Sequence, residues 1–222
     1  MKSTRVWAFL VFFIGMVFTG RGQDDSSWVA YTISKSIDTL YLNARKLFTD
    51  KKKAALLQNN IAEFYLYKNG RPVVPSGKIK TPFFPSAVLA FKFDDTLMLN
   101  SGLGRQAGLG VGIKIYKDRF GGLLHVNSKN APIYKMNRDD SVYINDIEAE
   151  PVSQSMKLMH KPNFSSNEVI IGEYHAVYRK FYQKRSKAKD QAITYRVKLL
   201  FKCKVMGMDS MKDVIQFYNS NP

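Results

Sequence analysis

Cysteine is almost absent from this chain, with Cys203 the only one in 222 residues. No internal disulfide can form, so the fold has to be held by its hydrophobic core. Metal-ligand spacing is missing as well. His125, His160 and His175 are scattered, and no HExxH pattern occurs. No serine lies in a Gly-x-Ser-x-Gly elbow. Long apolar runs are also lacking. Trp7 to Gly20 is an apolar stretch of 14 residues, too short to span a bilayer. Acids are scarce, 18 against 34 Lys and Arg, for a formal charge of +16.

Each absence narrows the function. There is no zinc-hydrolase or serine-nucleophile signature, and no cofactor motif. The glycine-rich run from Gly102 to Gly112 holds five glycines. A phosphate loop needs a helix N-terminus directly after its glycines. Here Val111 to Tyr116 alternates as a strand and no Gly-Lys-Ser/Thr follows, so the glycines fit a hairpin or a bulged bend. A membrane β-barrel also uses such strands. The positive charge, the prolines and the lack of a terminal aromatic strand argue against one.

Met1 to Gly22 has the form of a signal peptide: Lys2 and Arg5, the short apolar run, then Gly20 and Gly22 at −3 and −1 before Gln23. The expected mature chain, Gln23 to Pro222, has 200 residues and a charge of +13. It is expected to be exported, periplasmic or secreted, and to form a single β-rich domain with its own core.

The most informative stretch runs from Ile170 to Val205. In its first arm Ile170, Gly172, Tyr174, Ala176, Tyr178 and, past Lys180, Tyr182 share one strand face, with Glu173, His175, Val177, Arg179 and Phe181 on the other. In its second arm Ile193, Tyr195, Val197, Leu199, Phe201, Cys203 and Val205 alternate with Thr194, Arg196, Lys198, Leu200, Lys202 and Lys204. Aromatic and β-branched residues suit such half-buried strands. The arms are expected to pair as an antiparallel hairpin, with Tyr178 near Val197 and Tyr174 near Phe201, around a charged turn from Gln183 to Gln191.

Upstream, Trp28 to Ser34 reads as a first strand. Ile37, Leu40, Tyr41, Ala44, Leu47 and Phe48 recur at helical spacing. Glu63 to Tyr67 enters a tight turn at Lys68-Asn69-Gly70. Arg71 to Ser86, with four prolines, reads as an extended connector. Strands are expected at 87–93, 96–100, 121–126, 133–136 and 141–147. A capping box at Ser210 to Asp213 precedes a short amphipathic C-terminal helix. The expected fold is mainly β: a single antiparallel sandwich or open barrel, with N-terminal helix or helices and a short C-terminal one.

Two side-chain groups invite a chemical reading. Asp146, Glu148 and Glu150 are spaced by two, which puts three carboxylates on one side of an extended chain. Three oxygens can begin a Ca²⁺ site, but without a loop glycine or further ligands they read as a solvated acidic edge. Glu173 and His175 share a face and can act as base and orienter, or serve as a surface polar pair. No catalytic constellation is assigned, and the protein is expected not to be an enzyme. Cys203 lies on an apolar face, so its thiol reads as buried and inert.

The basic residues carry the functional expectation. From Arg179 to Lys204 there are ten Lys or Arg and one acid, Asp190, for a net of +9. Arg179, Arg196, Lys198, Lys202 and Lys204 are expected on the polar face of the hairpin. Lys184, Arg185, Lys187 and Lys189 are expected to crown its turn. Such a face meets anions or stays wet. The partners it fits are lipopolysaccharide phosphates, an anionic polysaccharide or a membrane surface; nucleic acid is not expected outside the cytoplasm. The alternatives are lysines that only keep an edge from aggregating, and an enzyme whose site is assembled by the fold.

Overall fold

A computed structural model describes residues 28–39, 60–76, 81–104, 108–129, 132–185 and 188–207. It is mainly β. In chain order the strands are β1 (Val29–Ala30), β2 (Thr32–Ile33), β3 (Asn60–Lys68), β4 (Arg71–Val73), β5 (Phe84–Phe93), β6 (Thr96–Gly104), β7 (Gly108–Tyr116), β8 (Arg119–Asn127), β9 (Tyr134–Lys135), β10 (Asp146–Ala149), β11 (Pro151–Leu158), β12 (Val169–Tyr178), β13 (Phe181–Arg185), β14 (Ala188–Ile193) and β15 (Tyr195–Met206). Twelve of them form one large sheet, and β14-β13-β9 form a small one.

The hydrogen-bonded path of the large sheet runs β1-β8-β7-β6-β5-β3-β15-β12-β11-β2. Its two terminal strands, β1 and β2, are separated by Tyr31 alone, so the sheet curls until its ends meet. Two strands turn the corners. β5 pairs with β3 up to Ala87 and with β6 from Val88. On the other side β10 pairs with β8, and after Glu150 the chain continues as β11 beside β12. A register shift between Pro151 and Ser153 sits at that second corner, where a bulge lets a strand bend from one partner to the next.

The core lies between the two halves. Phe120 of β8 meets Tyr174 of β12 edge to face, with ring centroids 6.0 Å apart. Burial alternates residue by residue along β12, with Ile170, Gly172, Tyr174, Ala176 and Tyr178 inside. On β15, Val197, Leu199, Phe201, Cys203 and Val205 are buried, and Leu200 is buried from the other side. Burial raises the Cys203 thiol well above its usual value, so it stays protonated.

Several expectations need correction. The β12–β15 ladder is antiparallel, but Ala176 faces Val197, Tyr174 faces Leu199 and Gly172 faces Phe201. The register differs by two residues, an even number, so the faces are unchanged. The segment between these strands is not a turn; the first arm ends at Tyr178, and β13 and β14 form a hairpin of their own that buries Phe181, expected on the polar face, and leaves Tyr182 half-buried. The sheet is mixed rather than purely antiparallel, because β2 runs parallel to β11 and the end of β15 parallel to β5. Strands occupy Arg71–Val73 and begin again at Phe84, inside the expected connector. The expected strand at 141–147 begins only at Asp146; Ile144 makes a single bridge to Tyr134.

Among the described residues the only helical element is a 3-10 turn, Lys35–Thr39. The rest of the expected N-terminal helix, the C-terminal helix, the signal peptide and Lys187 lie outside the described residues. Residues 105–107 do too, but the glycine-rich run is a hairpin as expected, with Gly104 opposite Gly108. The Asn-Gly turn is also present, with Asn69 at φ 50° and Gly70 at φ 77°.

Candidate basic face and small-sheet arm

The outward face of the β12–β15–β3 ladder follows from register. β15 presents Arg196, Lys198, Lys202 and Lys204 there, flanked by Tyr65 and Tyr67 of β3 and by Glu173 and His175 of β12. The Arg196 guanidinium carbon stands 4.1 Å from the centre of the Tyr67 ring. Such stacking holds the planar fork in place and leaves its edge donors facing outward. Lys198 Nζ stands 5.8 Å from the centre of the Tyr65 ring. The Tyr65 hydroxyl donates to Glu63 Oε2 at 2.8 Å, and Glu63 is buried.

Glu173 and His175 do meet. His175 Nε2 lies 2.5 Å from Glu173 Oε1, and Lys198 Nζ lies 3.1 Å from the same oxygen. Burial alone would raise the Glu173 carboxyl; the hydrogen bonds from His175 and Lys198 outweigh it and hold the carboxyl below its usual value. A carboxylate already held by an ammonium is a weak base. The geometry therefore supports an ion-paired surface group over a catalytic dyad.

Arg179 lies just past β12 and reaches Glu150 Oε2 at 3.9 Å. The acidic triplet is distributed: Asp146 Oδ1 lies 2.9 Å from His125 Nε2, with Glu148 at 4.0 Å from the other ring nitrogen. Asn127 also donates to Asp146. No group of three or more His, Cys, Asp or Glu among the described residues could hold a metal ion.

Lys184 and Arg185 are exposed on β13 and Lys189 is exposed on β14. The small sheet that carries them is anchored by Phe181, which packs on Tyr134 and Tyr195 at 5.7 and 5.9 Å between ring centroids. Burial, then the neighbouring Tyr134, pushes the Tyr195 hydroxyl up to about 12. Opposite, Asp190 accepts from Lys135 Nζ at 2.8 Å and from the Tyr143 hydroxyl at 2.7 and 2.8 Å. Those hydrogen bonds hold the Asp190 carboxyl below its usual value.

The one acid of the basic stretch is thus engaged by residues from outside it. Among the described residues, Lys184, Arg185, Lys189, Arg196, Lys202 and Lys204 are in no ion pair. Sequence reasoning missed Lys68, Lys135 and Tyr143, which come to the arm from remote positions. Only a pairing pattern visible after folding identifies them.

Comparison of the chain with protein-family models, with curated proteins and with solved structures finds no match.

Proposed function

We propose that this is an exported, non-catalytic binding protein that holds an extended anionic partner along β15 and the β13–β14 arm. The fold is best read as a flattened barrel whose corners are β5 and β10–β11. One observation carries the functional reading: seven of the basic residues from Arg179 to Lys204, Lys180 among them, are in no ion pair among the described residues, and Asp190 is held by Lys135 and Tyr143. Like charges held this densely repel each other, and an anion relieves the repulsion. Anionic polysaccharide, lipopolysaccharide phosphates and lipid headgroups share the required chemistry. Lys198 is the exception on the face, since Glu173 neutralises it.

Binding of this kind weakens steeply with salt, because each neutralised charge releases counterions or is screened. The mature protein is expected to be retained on heparin or on anionic liposomes at low ionic strength. Replacing Lys184, Arg185, Lys187 and Lys189 by Ser should move its elution to lower salt with an unchanged far-UV spectrum. Elution together with the parent would show that the arm is not the contact surface and would favour lysines that only protect an edge.

A further inference from the structure

Two cations on opposite sides of the junction between the large sheet and the arm are held by neutral groups. Lys68 ends β3, opposite Tyr195. Its Nζ donates to Gln183 Oε1 at 3.5 Å. Arg185 donates from Nε and Nη2 to Gln191 Oε1 at 3.2 and 2.8 Å. Gln183 and Gln191 face each other across the β13–β14 ladder, so a pair of amides joins the two cations. Burial, and then the charge of Arg185, lower the Lys68 ammonium from its usual value. The two groups therefore sense each other.

We infer that Lys68 and Arg185, oriented by Gln183 and Gln191, form a site for a phosphoryl group. This rests on the reading of the arm as anion-facing and sharpens it to one place. An amide oxygen fixes a donor without cancelling its charge, whereas a carboxylate would do both. Neither Lys68 nor Arg185 has an acid partner among the described residues. Asp190, the acid of the same hairpin, points to Lys135 and Tyr143. The ammonium has three donors and the guanidinium five. After the glutamine bonds, two remain on Lys68 and three on Arg185. A phosphoryl group offers several anionic oxygens to such donors, and Arg binds it in a planar fork. The arrangement keeps like charges together at a cost that an incoming dianion removes.

The test uses the full mature chain and inorganic phosphate as probe, followed by calorimetry or by chemical shifts of the arm. The parent should show saturable binding. Lys68→Met and Gln191→Glu should each weaken it tenfold or more. The second variant keeps the shape of the side chain and gives Arg185 an internal carboxylate, so it should fold at least as well as the parent. Lys114→Ser, on β7 and outside the proposed contact surface, should bind phosphate as the parent does. Vesicles with and without a phosphomonoester headgroup lipid then separate free phosphate from a lipid source. No saturable binding by the parent, or unchanged binding by both Lys68→Met and Gln191→Glu, overturns the site. Heparin retention separates the two readings. Early elution of the fourfold serine variant with phosphate binding untouched by Lys68→Met leaves the polymer reading standing without this site. Loss of phosphate binding in Lys68→Met with retention unchanged in the fourfold variant leaves the site standing without the polymer reading.

Discussion

Gly122 shows how closely the two halves of the curled sheet approach. A Cβ at this position would lie 2.0 Å from the Tyr174 hydroxyl oxygen, 2.7 Å from its Cζ and 3.1 Å from Gln154 Oε1. Tyr174 cannot swing away, since it is fully buried against Phe120 and its hydroxyl is 3.1 Å from that of Tyr178. Gly122→Ala should therefore cost about 1–3 kcal/mol in chemical denaturation, the usual range for overpacking. Adding Tyr174→Phe removes the nearest atom and should restore part of the loss. A fully stable single variant would mean that β8 and β12 do not touch there. Glu173 makes a different prediction. Its folded carboxyl titrates below an unfolded glutamate, so the folded state binds fewer protons. The stabilisation is complete above the unfolded value of about 4.3 and fades as pH falls through the folded one. Glu173→Gln should cost on the order of 1 kcal/mol at neutral pH, with the gap to the parent closing in acid. An equal gap at pH 7 and pH 3 would remove the charge from the explanation. The Glu173–His175 pair was legible in the sequence, because residues two apart on a strand share a face. The third member, Lys198, was legible only as a basic residue of the second arm, since its meeting with Glu173 depends on the exact register.

The β13–β14 hairpin is the element that the sequence concealed. Between Tyr182 and Ile193 the composition is polar and cationic, and this argues for solvated chain. Strand character there comes from partners: β13 pairs with β9 as well as β14, with Tyr182 opposite Lys135 and Gln183 opposite Tyr134. Alternation in β12 and β15 was readable because one face of each is buried by the other half of the sheet. Their register was not, because it depends on how many residues the intervening hairpin absorbs. The corner strand β5 was expected from Ala87, and only its start at Phe84 was hidden, by Pro85, which sits opposite Glu63, where a missing donor is tolerated. Asp190 joins the arm to its surroundings, since it accepts from β9 through Lys135 and from the 141–144 segment through Tyr143. Asp190→Asn should loosen these elements selectively. Hydrogen exchange should speed up at Tyr134, Lys135 and Phe181–Arg185, while β3, β12 and β15 keep their protection. The variant should also be retained longer on heparin, because the last acid of the stretch is gone. Exchange that speeds up equally in every strand would show that the small sheet is not a separate unit.

At the scale of the whole molecule, the curled sheet depends on a short strap. Val29 and Ala30 pair with Phe120 and Arg119 of β8, and Thr32 and Ile33 with Lys157 and Leu158 of β11. Around them, the Tyr31 hydroxyl donates to Lys117 O at 2.8 Å, Arg119 Nη2 to Trp28 O at 2.8 Å and Ser34 N to Leu158 O at 2.9 Å. Val29 and Ile33 are 39% and 49% exposed, and Tyr31 between them is only partly buried against the core, so hydrogen bonds carry most of the strap's fastening. Each such bond contributes only about 0.5–1.5 kcal/mol net, whereas the faces of β3, β12 and β15 are secured by the core. Tyr31→Ala combined with Arg119→Ala should therefore lower global stability by only about 1–3 kcal/mol. It should release the strap well before the rest unfolds, with the amides of Tyr31, Ser34 and Phe120 exchanging ahead of those in β12 and β15. Release would free the edges of β8 and β11, and free edges invite pairing between molecules. The formal charge of +16 opposes that encounter, and salt screens the opposition within about 10 Å at 0.1 M. The double variant should thus stay monomeric at low ionic strength and associate as salt is added, as followed by light scattering. A parent and variant that scatter alike at high salt, with exchange unchanged at the strap, would show that the curl is held by the corner strands alone.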